Sequence, residues 1–580
     1  MKILSLFKNK LIRDLAIIIC LLVILPMIST SYFSSLLGKA IIFAILAISI
    51  DIAWGYGGIL SLGHSVFFGL GAYAFAIMSL QGGSLFASLG GVALGILLPV
   101  LLAFLVSWFV FYSKSSPFYI GVVTLSLSIL FEQLSIRLSS LTGGQNGLTN
   151  IPSFPFSGSM LYYFLLSLLV LTVMVAYQFV KSDMGKLVVA VRDNEERCKF
   201  LGYNTQWIRT LVFVFSGAIA GFAGVLYAPF DGFVSPSLLN FTLATEIIVW
   251  VAIGGRGKLV GAVIGALLIN ILSPIFNDIS PYLWQIFLGF IFVLAVVFVP
   301  NGLYSFTGKA KDKTTPYKIV TKAKDPVVKQ DKGNDVLVIR GVKVAYGDLT
   351  ILDGLNLALR SGELQCVVGP NGAGKSTLIN AITGRVKYTE GSITLEKEQI
   401  CAWSPQKIAR SRVARTFQST NIIASLTVEE NLQLASRKGA TPSFYKNGKT
   451  INLSSSTVRL LHETKLHEKL TVIAGNLSHG DQQALELCMV LALEPKVLLL
   501  DEPTAGLTLA ERKKIGEIFK SLGRDEGLSL MIIEHDIDFV KEIADRVTLL
   551  HSGKIAMDGS VTEITSSNLV KEIYLGGRVG

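Results

Sequence analysis

The chain has 580 residues, too many for one hydrophobic core, so at least two domains are expected. Apolar residues make up 51% and charged residues only 16%, against about 25% in typical soluble proteins, and mean hydropathy is +0.56, which excludes a wholly soluble protein. The net charge of +11 comes without a basic, aromatic-interleaved stripe, so nucleic-acid binding is not predicted. No CxxC pair and no metal-ligand spacing of histidines occurs, so neither disulfides nor a metal cage is expected.

Ten apolar runs precede residue 301, and they predict a polytopic α-helical membrane domain of about ten spans over residues 1–306. A helix that crosses the hydrocarbon core needs about 20 residues, so some of the shorter runs are expected to be broken or re-entrant. The first run resembles a signal peptide, but no convincing A-x-A cleavage site follows, so we interpret it as a span. The runs are 15–33, 39–54, 64–80, 89–112, 118–136, 161–180, 207–229, 241–253, 259–273 and 283–300.

Basic residues mark every second loop between these runs, which sets the direction of the chain through the membrane. Lys8 precedes the first run, Lys114 follows the fourth and Arg256 follows the eighth, whereas Asp231 falls on the opposite side. This positive-inside pattern, to which Arg137 is an exception, places the basic loops in the cytoplasm of a bacterium and the runs in its inner membrane. An even number of spans keeps the second half cytoplasmic, so ten spans are expected and eight stay open.

Four polar residues lie within or beside the apolar runs, where an ionisable group is costly and usually faces protein or water. Each either makes a structural hydrogen bond to a neighbouring helix or lines the path of a solute. They are Asp51, His64, Glu132 and Glu246. Glycine-rich stretches such as GYGGILSLGHSVFFGLGAY and SGAIAGFAG predict close helix contacts through small residues.

The stretch MGKLVVAVRDNEERCKFLGYN, residues 184–204, carries charges of both signs and is predicted to be one short amphipathic helix. It is either a solvated surface loop or a helix that docks on a soluble partner and transmits motion to the spans. After the tenth run, residues 307–335 combine lysines, aspartates and two prolines with few apolar side chains. That composition predicts a flexible basic linker, and its lysines are expected to be attracted to anionic lipid.

Over residues 336–580 the pattern becomes that of a soluble α/β P-loop NTPase. Strand-like GELQCVVG leads into GPNGAGKST and helical LINAITG, which fits the GxxxxGK[ST] motif in its strand–loop–helix context. The glycines let backbone N–H groups approach phosphate oxygens, Lys375 supplies a charge for the β- and γ-phosphates, and Ser376 supplies a hydroxyl for Mg²⁺. ATP and Mg²⁺ are therefore the expected cofactors. The predicted nucleotide-binding residues of this loop are Gly369, Asn371, Gly372, Gly374, Lys375, Ser376 and Thr377.

A second apolar run, KVLLLDEP, predicts a buried parallel strand that ends in two acids. Asp501 is placed to hold Mg²⁺ through water, and Glu502 is placed to polarise the attacking water. We therefore expect Asp501 to bind the nucleotide and its metal, and Glu502 to be catalytic.

Between these two motifs lies LSHGDQQ, residues 477–483, and the ordered set resembles the ATP-binding cassette, or ABC, family over 336–580. The resemblance implies that Tyr346 stacks on adenine. It implies that Gln418 links the nucleotide to the permease and contacts Mg²⁺, and that His535 is the switch histidine at the γ-phosphate, so both are expected to take part in catalysis. Ser478 and Gly480 are expected to face a γ-phosphate through a helix N-terminus.

Three residues depart from the commonest pattern of the ABC family. His479 stands where a glycine is usual, Asp481 replaces a glutamine, and Thr508 replaces an aspartate. These departures leave open how fast this particular site turns over.

The first half resembles the permeases of branched-chain amino acid and urea uptake systems, through GGQNGLTNIP, AVRDNEERCKFLGYN and IIVWVAIGGRGKLVGAVIGALLIN. The resemblance implies ATP-driven import, and the sequence Gly-Gly-Arg-Gly is most similar to the urea and short-amide branch. Urea or a short amide is therefore the expected solute, and a branched-chain amino acid is the alternative. An ABC exporter is less expected, because such exporters typically carry six long helices that extend far into the cytoplasm. The apolar runs here are short, numerous and rich in glycine. A soluble ABC protein acting on DNA would have no role for the membrane half.

The chain holds one P-loop and one LSHGDQQ motif, whereas the ABC family sandwiches each ATP between two cassettes. The resemblance therefore implies a second cassette, a second permease and an external solute-binding protein. The other expected partners are membrane lipid and the small solute, with no nucleic acid. Closure of the two cassettes on ATP would draw together the two cytoplasmic segments that correspond to residues 184–204, one in each permease. Hydrolysis would release them.

Overall fold

The computed structural model of the chain contains two compact units. It describes residues 10–28, 30–82, 84–113, 117–279, 281–307, 317–322, 334–505, 508–567 and 570. The membrane unit consists of Met1–Arg192, Gln206–Lys313 and Ser443–Asn447, and the cassette unit consists of Asp193–Thr205, Thr314–Pro442 and Gly448–Gly580. The units differ from the predicted domains 1–306 and 336–580 in two short segments. Residues 193–205 belong to the cassette unit, and residues 443–447 belong to the membrane unit.

Each of the ten predicted apolar runs overlaps a helix of the membrane unit. By length and composition, seven helices among the described residues are able to cross a membrane, and two shorter apolar helices accompany them. The prediction of a helical membrane domain is confirmed, and the number of crossings stays a prediction. The ten helices are Lys10–Ile28, Ser31–Ile50, His64–Gly82, Leu85–Tyr112, Pro117–Arg137, Ser159–Lys181, Thr205–Asp231, Phe241–Gly254, Leu259–Ile279 and Pro281–Phe298.

The boundary between the first two helices differs from the prediction of a run over 15–33. The first helix ends at Ile28, and the second begins at Ser31, where the Thr30 hydroxyl accepts a hydrogen bond from the Phe33 backbone N–H at 3.4 Å. The side-chain oxygen of an N-cap satisfies a backbone donor that has no partner within the helix. The sequence at residues 29–31 is Ser-Thr-Ser, a helix start signal that the predicted run of 15–33 passed over.

The second helix continues as a π-helix over Asp51–Tyr56, a conformation that is rare and often found at functional sites. The buried Asp51 carboxylate accepts the backbone N–H of Gly257 at 2.7 Å. Arg256 donates to the carbonyl of Trp54 at 3.1 Å and lies over its indole ring, 4.9 Å from the centroid. These contacts fasten the π-helix to the loop before Leu259–Ile279, which supports a structural role for Asp51. A role in the solute path stays a prediction.

The other three polar residues of the runs lie in different environments. His64 is buried at the start of its helix, where its Nε2 lies 3.3 Å from the Ser216 hydroxyl and its ring meets the edge of Phe67. Glu132 and Glu246 are half-buried. The His64 contact supports the interpretation of a satisfied polar group in the helix packing, as one of the two alternatives proposed.

Small residues bring two helices of the membrane unit into close contact, as the glycine-rich stretches predict. A Cβ added at Gly71 would lie 2.2 Å from the carbonyl oxygen of Gly221, and one added at Gly224 would lie 1.9 Å from that of Phe68. Helices His64–Gly82 and Thr205–Asp231 therefore touch through their backbones.

The cassette unit is built on two larger sheets, which confirms the predicted α/β P-loop fold. The six-stranded sheet is parallel except for its edge strand, in the order Lys554–Gly559, Arg546–His551, Leu364–Val368, Ser529–Ile533, Val497–Asp501 and Val413–Arg415. The four-stranded sheet is antiparallel, in the order Leu349–Arg360, Asp335–Tyr346, Glu390–Leu395 and Glu398–Gln399. The central strands of the first sheet are buried on both faces, as continuous runs such as VLLL indicate.

Helices cover these sheets and carry the loops of the site. They are Lys375–Ile382, Pro405–Arg410, Val428–Ser436, Ser455–Glu463, His479–Leu491, Leu509–Glu526, Ile537–Ile543 and Val561–Ser566. Because the strands are parallel, their carboxyl ends meet at one edge of the sheet, where ligands bind in such folds.

The predicted linker 307–335 contains a short strand, so its described part is not a structureless tether. Lys318–Thr321 pairs in parallel with Thr450–Leu453 of the cassette unit, and the backbone N–H of Tyr317 donates to Glu429 at 2.9 Å. The parts of the predicted linker at 308–316 and 323–333 lie outside the described residues. The composition of the linker gave no period-2 pattern long enough to predict this strand.

Candidate nucleotide-binding site

The P-loop connects the buried strand Leu364–Val368 to the helix Lys375–Ile382, as the motif predicts. Gly374 has φ +102°, a conformation that favours glycine, and a Cβ there would lie 2.7 Å from Leu352. The Lys375 ammonium lies within the loop and donates to the carbonyls of Gly369 at 2.7 Å and Pro370 at 3.0 Å. Burial lowers the pKa of Lys375, and Glu502 and other nearby acids oppose that shift.

The remaining predicted P-loop residues present polar groups to solvent at the turn. Asn371, Gly372 and Ser376 are exposed, and Thr377 is half-buried in the first helical turn. Exposed N–H and hydroxyl groups at a helix N-terminus favour a bound phosphate.

The strand Val497–Asp501 delivers the two predicted acids to the carboxyl edge of the sheet. Asp501 is buried, and its carboxylate lies 4.0 Å from the guanidinium of Arg415. Burial raises the pKa of Asp501, and Arg415 opposes part of that rise. Sequence reasoning did not single out Arg415, since no motif letter distinguishes it from the other basic residues of SRVARTFQST.

Glu502 adopts a left-handed backbone conformation with φ +50°, which is uncommon for a residue with a side chain. Its carboxylate accepts a hydrogen bond from the Gln418 amide at 3.1 Å and lies 3.9 Å from Nδ1 of His535. The structure therefore brings together the three residues predicted to be catalytic. Strained backbone of this kind is concentrated at functional sites.

Glu534, which the sequence analysis did not assign, holds the loops on either side of Glu502 and His535. It is fully buried and accepts hydrogen bonds from the Thr504 backbone N–H at 3.2 Å, the Thr504 hydroxyl at 2.7 Å and the His535 backbone N–H at 3.3 Å. An acid next to a histidine at a strand end is the one signal that would have identified it.

Replacing Glu534 with alanine is expected to lower the thermal unfolding midpoint of the full chain. The change leaves three donors without their acceptor, and each buried unsatisfied group costs about 1–3 kcal/mol. Scanning calorimetry in detergent micelles measures the midpoint, with Glu542→Ala, at an exposed position, as the control. Equal midpoints for the two variants would contradict the role given to Glu534.

The LSHGDQQ motif forms the exposed N-terminus of the helix His479–Leu491, with Ser478 as its N-cap. The Ser478 hydroxyl accepts the backbone N–H of Asp481 at 3.2 Å and donates to its carboxylate at 2.7 Å. Lys469 donates to the same carboxylate at 2.6 Å. Asp481, one of the departures noted in the sequence, thus orders the serine with help from a cation that is 12 residues away.

A cavity of about 260 Å³ in the cassette unit is lined by Gln418, Ser478, Gly480 and Glu502. No described residue of the P-loop, 369–377, lines it. The structure therefore places the LSHGDQQ helix beside Glu502, the acid predicted to be catalytic.

The positions of Tyr346 and Thr508 complete the description of the predicted residues. Tyr346 ends the strand Asp335–Tyr346 and is 57% exposed, so its ring is free to stack on a base. Thr508 caps the helix Leu509–Glu526 and forms a capping box with Glu511. Residues 506 and 507, directly before Thr508, lie outside the described residues.

Residues 184–204 form two helices rather than the one predicted. The first, Asp183–Asp193, lies in the membrane unit up to Arg192, and the second, Glu195–Phe200, lies in the cassette unit. Asn194 separates them because it serves as N-cap of the second helix, where its side chain accepts the backbone N–H of Arg197 at 2.9 Å. The Asn-Glu-Glu sequence at this point is a helix start signal that the amphipathic pattern concealed.

Two family models match the chain, one in each half. The model described as "Branched-chain amino acid transport system / permease component" matches residues 32–296, and the model described as "ABC transporter" matches residues 352–505.

The second half is also similar to known transport ATPases. It is 34% identical over 251 residues to the high-affinity branched-chain amino acid transport ATP-binding protein LivG of Salmonella typhimurium, covering 42% of this chain and 98% of that protein. It is 31% identical over the same length to BraF of Pseudomonas aeruginosa, described in the same words, with the same coverage. The ADP conformation of MJ1267, an ATP-binding cassette of an ABC transporter, is 29% identical with a TM-score of 0.38, covering 42% of this chain and 100% of that chain.

Proposed function

The chain belongs to the ABC transporter family, as a permease domain fused to an ATP-hydrolysing cassette, and on that premise we propose that it imports branched-chain, hydrophobic amino acids. The observation that carries the proposal is the agreement of its two halves. The permease model for branched-chain amino acid transport matches the first half, and the second half is similar to LivG and BraF, which are named for the same transport.

Urea or a short amide was the solute expected from the sequence, and it has less support than the alternative. That expectation depended on the sequences of a few short segments, such as Gly-Gly-Arg-Gly at residues 254–257. In the structure this loop contacts the π-helix through Gly257 and Asp51, so its glycines have a structural reason that does not depend on the solute.

ATP binding in this proposal depends on the P-loop and on Tyr346. Lys375 moves from the loop carbonyls to the phosphates, the glycine-rich backbone surrounds them, and Tyr346 stacks on the adenine. Glu502 orients and polarises the attacking water. Gln418 holds the Glu502 carboxylate in place, and His535 holds the transferred phosphate.

Mg²⁺ fits the donors that the site offers. The exposed Ser376 hydroxyl, the Asp501 carboxylate and the Gln418 amide are oxygen donors of the kind that Mg²⁺ prefers. The guanidinium of Arg415 lies 4.0 Å from the Asp501 carboxylate. When bound, the ion would neutralise charge on the phosphate oxygens.

The working assembly contains a second cassette, a second permease and an external binding protein. The exposed Ser478 and Gly480 support this arrangement, because an exposed helix N-terminus is available to a phosphate held by another cassette. The proposal places the cassette on the cytoplasmic face of the inner membrane, where the basic loops and ATP are found.

Solute-stimulated ATP hydrolysis distinguishes the two solutes. The assembly is reconstituted in nanodiscs with its binding protein, and hydrolysis is measured with leucine, isoleucine, valine, urea, formamide and acetamide. We expect at least a several-fold stimulation by the three amino acids and none by the amides. Stimulation by urea alone would overturn the proposed solute and restore the first interpretation.

A further inference from the structure

One segment of the first half of the sequence is part of the cassette unit. Residues 193–205 lie between the helices Asp183–Asp193 and Thr205–Asp231, so the chain connects them directly to a predicted span. The hydroxyl of Tyr203 donates to the carbonyl of Leu434 at 2.8 Å, and Arg410 donates to the carbonyl of Gly202 at 2.8 Å.

A buried ion pair lies at the centre of this contact. Arg197 is 1% exposed and Glu486 is 3% exposed, and the guanidinium lies 3.5 Å from the carboxylate. Arg197 also donates to the carbonyl oxygen of Glu486 at 3.3 Å. A buried pair whose partner is removed leaves an uncompensated charge, so the two residues depend on each other.

Glu486 belongs to two parts of the nucleotide site at once. It lies on the helix His479–Leu491, which begins at Ser478, and its carboxylate accepts the backbone N–H groups of Phe417 at 3.3 Å and Asn421 at 3.2 Å. These two residues flank Gln418. One carboxylate therefore joins the LSHGDQQ helix, the Gln418 loop and the segment 193–205.

A second route runs from the same segment to Asp501. The guanidinium carbon of Arg415 lies 4.6 Å from the ring centre of Phe417 and 5.3 Å from that of Phe200. The two rings meet edge to face at 5.1 Å. Arg415 is thus between the carboxylate at the metal site and an aromatic side chain of the segment.

We propose that Glu486 is a positioning residue, which transmits movement of the LSHGDQQ helix and the Gln418 loop to residues 193–205 through Arg197. The inference rests on the proposed function in so far as that function requires ATP to move the permease. It adds Arg197, which lies in the permease half of the sequence, as the partner of Glu486. Motion of either nucleotide-site element shifts the buried carboxylate, and Arg197 follows because both members of the ion pair are buried and separating them would leave an uncompensated charge.

Hydrogen–deuterium exchange tests this inference without reference to the solute. The full chain in nanodiscs is compared with and without Mg²⁺-ATP, and exchange is followed in the peptide that covers residues 194–203. We expect ATP to change exchange there by about tenfold in the parent and by less than about twofold in Arg197→Gln and Glu486→Gln, within the range of couplings between contacting residues.

Two further variants keep the test informative. Glu196 lies on the same helix as Arg197 and makes an exposed ion pair with Arg385. Glu196→Gln removes this ion pair and is expected to respond to ATP as the parent does. Arg197→Lys keeps the charge and is expected to restore part of the response, which a purely structural loss would not. An unchanged response in both glutamine variants, or no ATP response in the parent, would overturn the inference, whichever solute proves to be imported.

Discussion

Lys375→Ala is expected to weaken ATP binding by about 10- to 150-fold, the largest single effect on affinity. The ammonium is held inside the loop by two carbonyls, at 2.7 and 3.0 Å, and from there it moves to the phosphates when ATP binds. Hydrogen bonds to charged groups contribute roughly 1.5–3 kcal/mol, and alanine removes all of them. Equilibrium binding of a fluorescent ATP analogue to the full chain measures the loss.

Lys387→Ala is the matched control, because Lys387 is an exposed lysine in the same unit. It is expected to bind ATP as the parent does. Calorimetry of both variants checks that the P-loop remains folded. Parental affinity in Lys375→Ala would show that this loop is not the phosphate site.

Glu502→Gln is expected to retain ATP binding and to lower hydrolysis by about 10²–10⁴-fold, the usual contribution of a general base. The amide oxygen of glutamine still accepts the hydrogen bond that Gln418 donates to Glu502 at 3.1 Å, so the geometry is kept. The negative charge that polarises water is lost. Phosphate release and bound nucleotide are measured on the same sample.

Glu517→Gln provides the control, since it makes the same chemical change at an exposed position of the helix Leu509–Glu526. Its hydrolysis rate is expected to equal that of the parent. If Glu502→Gln hydrolyses at the parental rate, Glu502 is not the working base, or the partner cassette carries the turnover.

Local signals predicted the elements and most of the site. The ten apolar runs each overlap a helix, and the P-loop, Asp501 and Glu502 follow the strands that their motifs predict. These features depend on hydropathy and on residues that are neighbours in sequence, so a pattern is enough to find them.

Long-range partners were not predictable in the same way. Arg197 and Glu486 are 289 positions apart, and Glu534 meets Thr504 across 30. Each looks like an ordinary surface charge in its own segment, and only the fold shows that it is buried. The strand Lys318–Thr321 was missed for the same reason, because its pairing with Thr450–Leu453 lies outside its own sequence.

The π-helix over Asp51–Tyr56 shows a different limit. Its residues continue the apolar run, so hydropathy predicts a regular helix. The change of helix type is accompanied by the contacts of Asp51 with Gly257 and of Arg256 with Trp54, both more than 200 positions away. Tertiary contacts, rather than local propensity, accompany the irregular turn.

Uptake into proteoliposomes shows whether ATP bound by the cassette drives an amino acid across the membrane. The assembly is reconstituted with ATP and Mg²⁺ trapped inside and the leucine-loaded binding protein outside. We expect labelled leucine to accumulate inside, no accumulation when ATP is omitted, and no accumulation with Glu502→Gln. Accumulation that is independent of internal ATP, or driven only by ATP outside, would contradict this expectation.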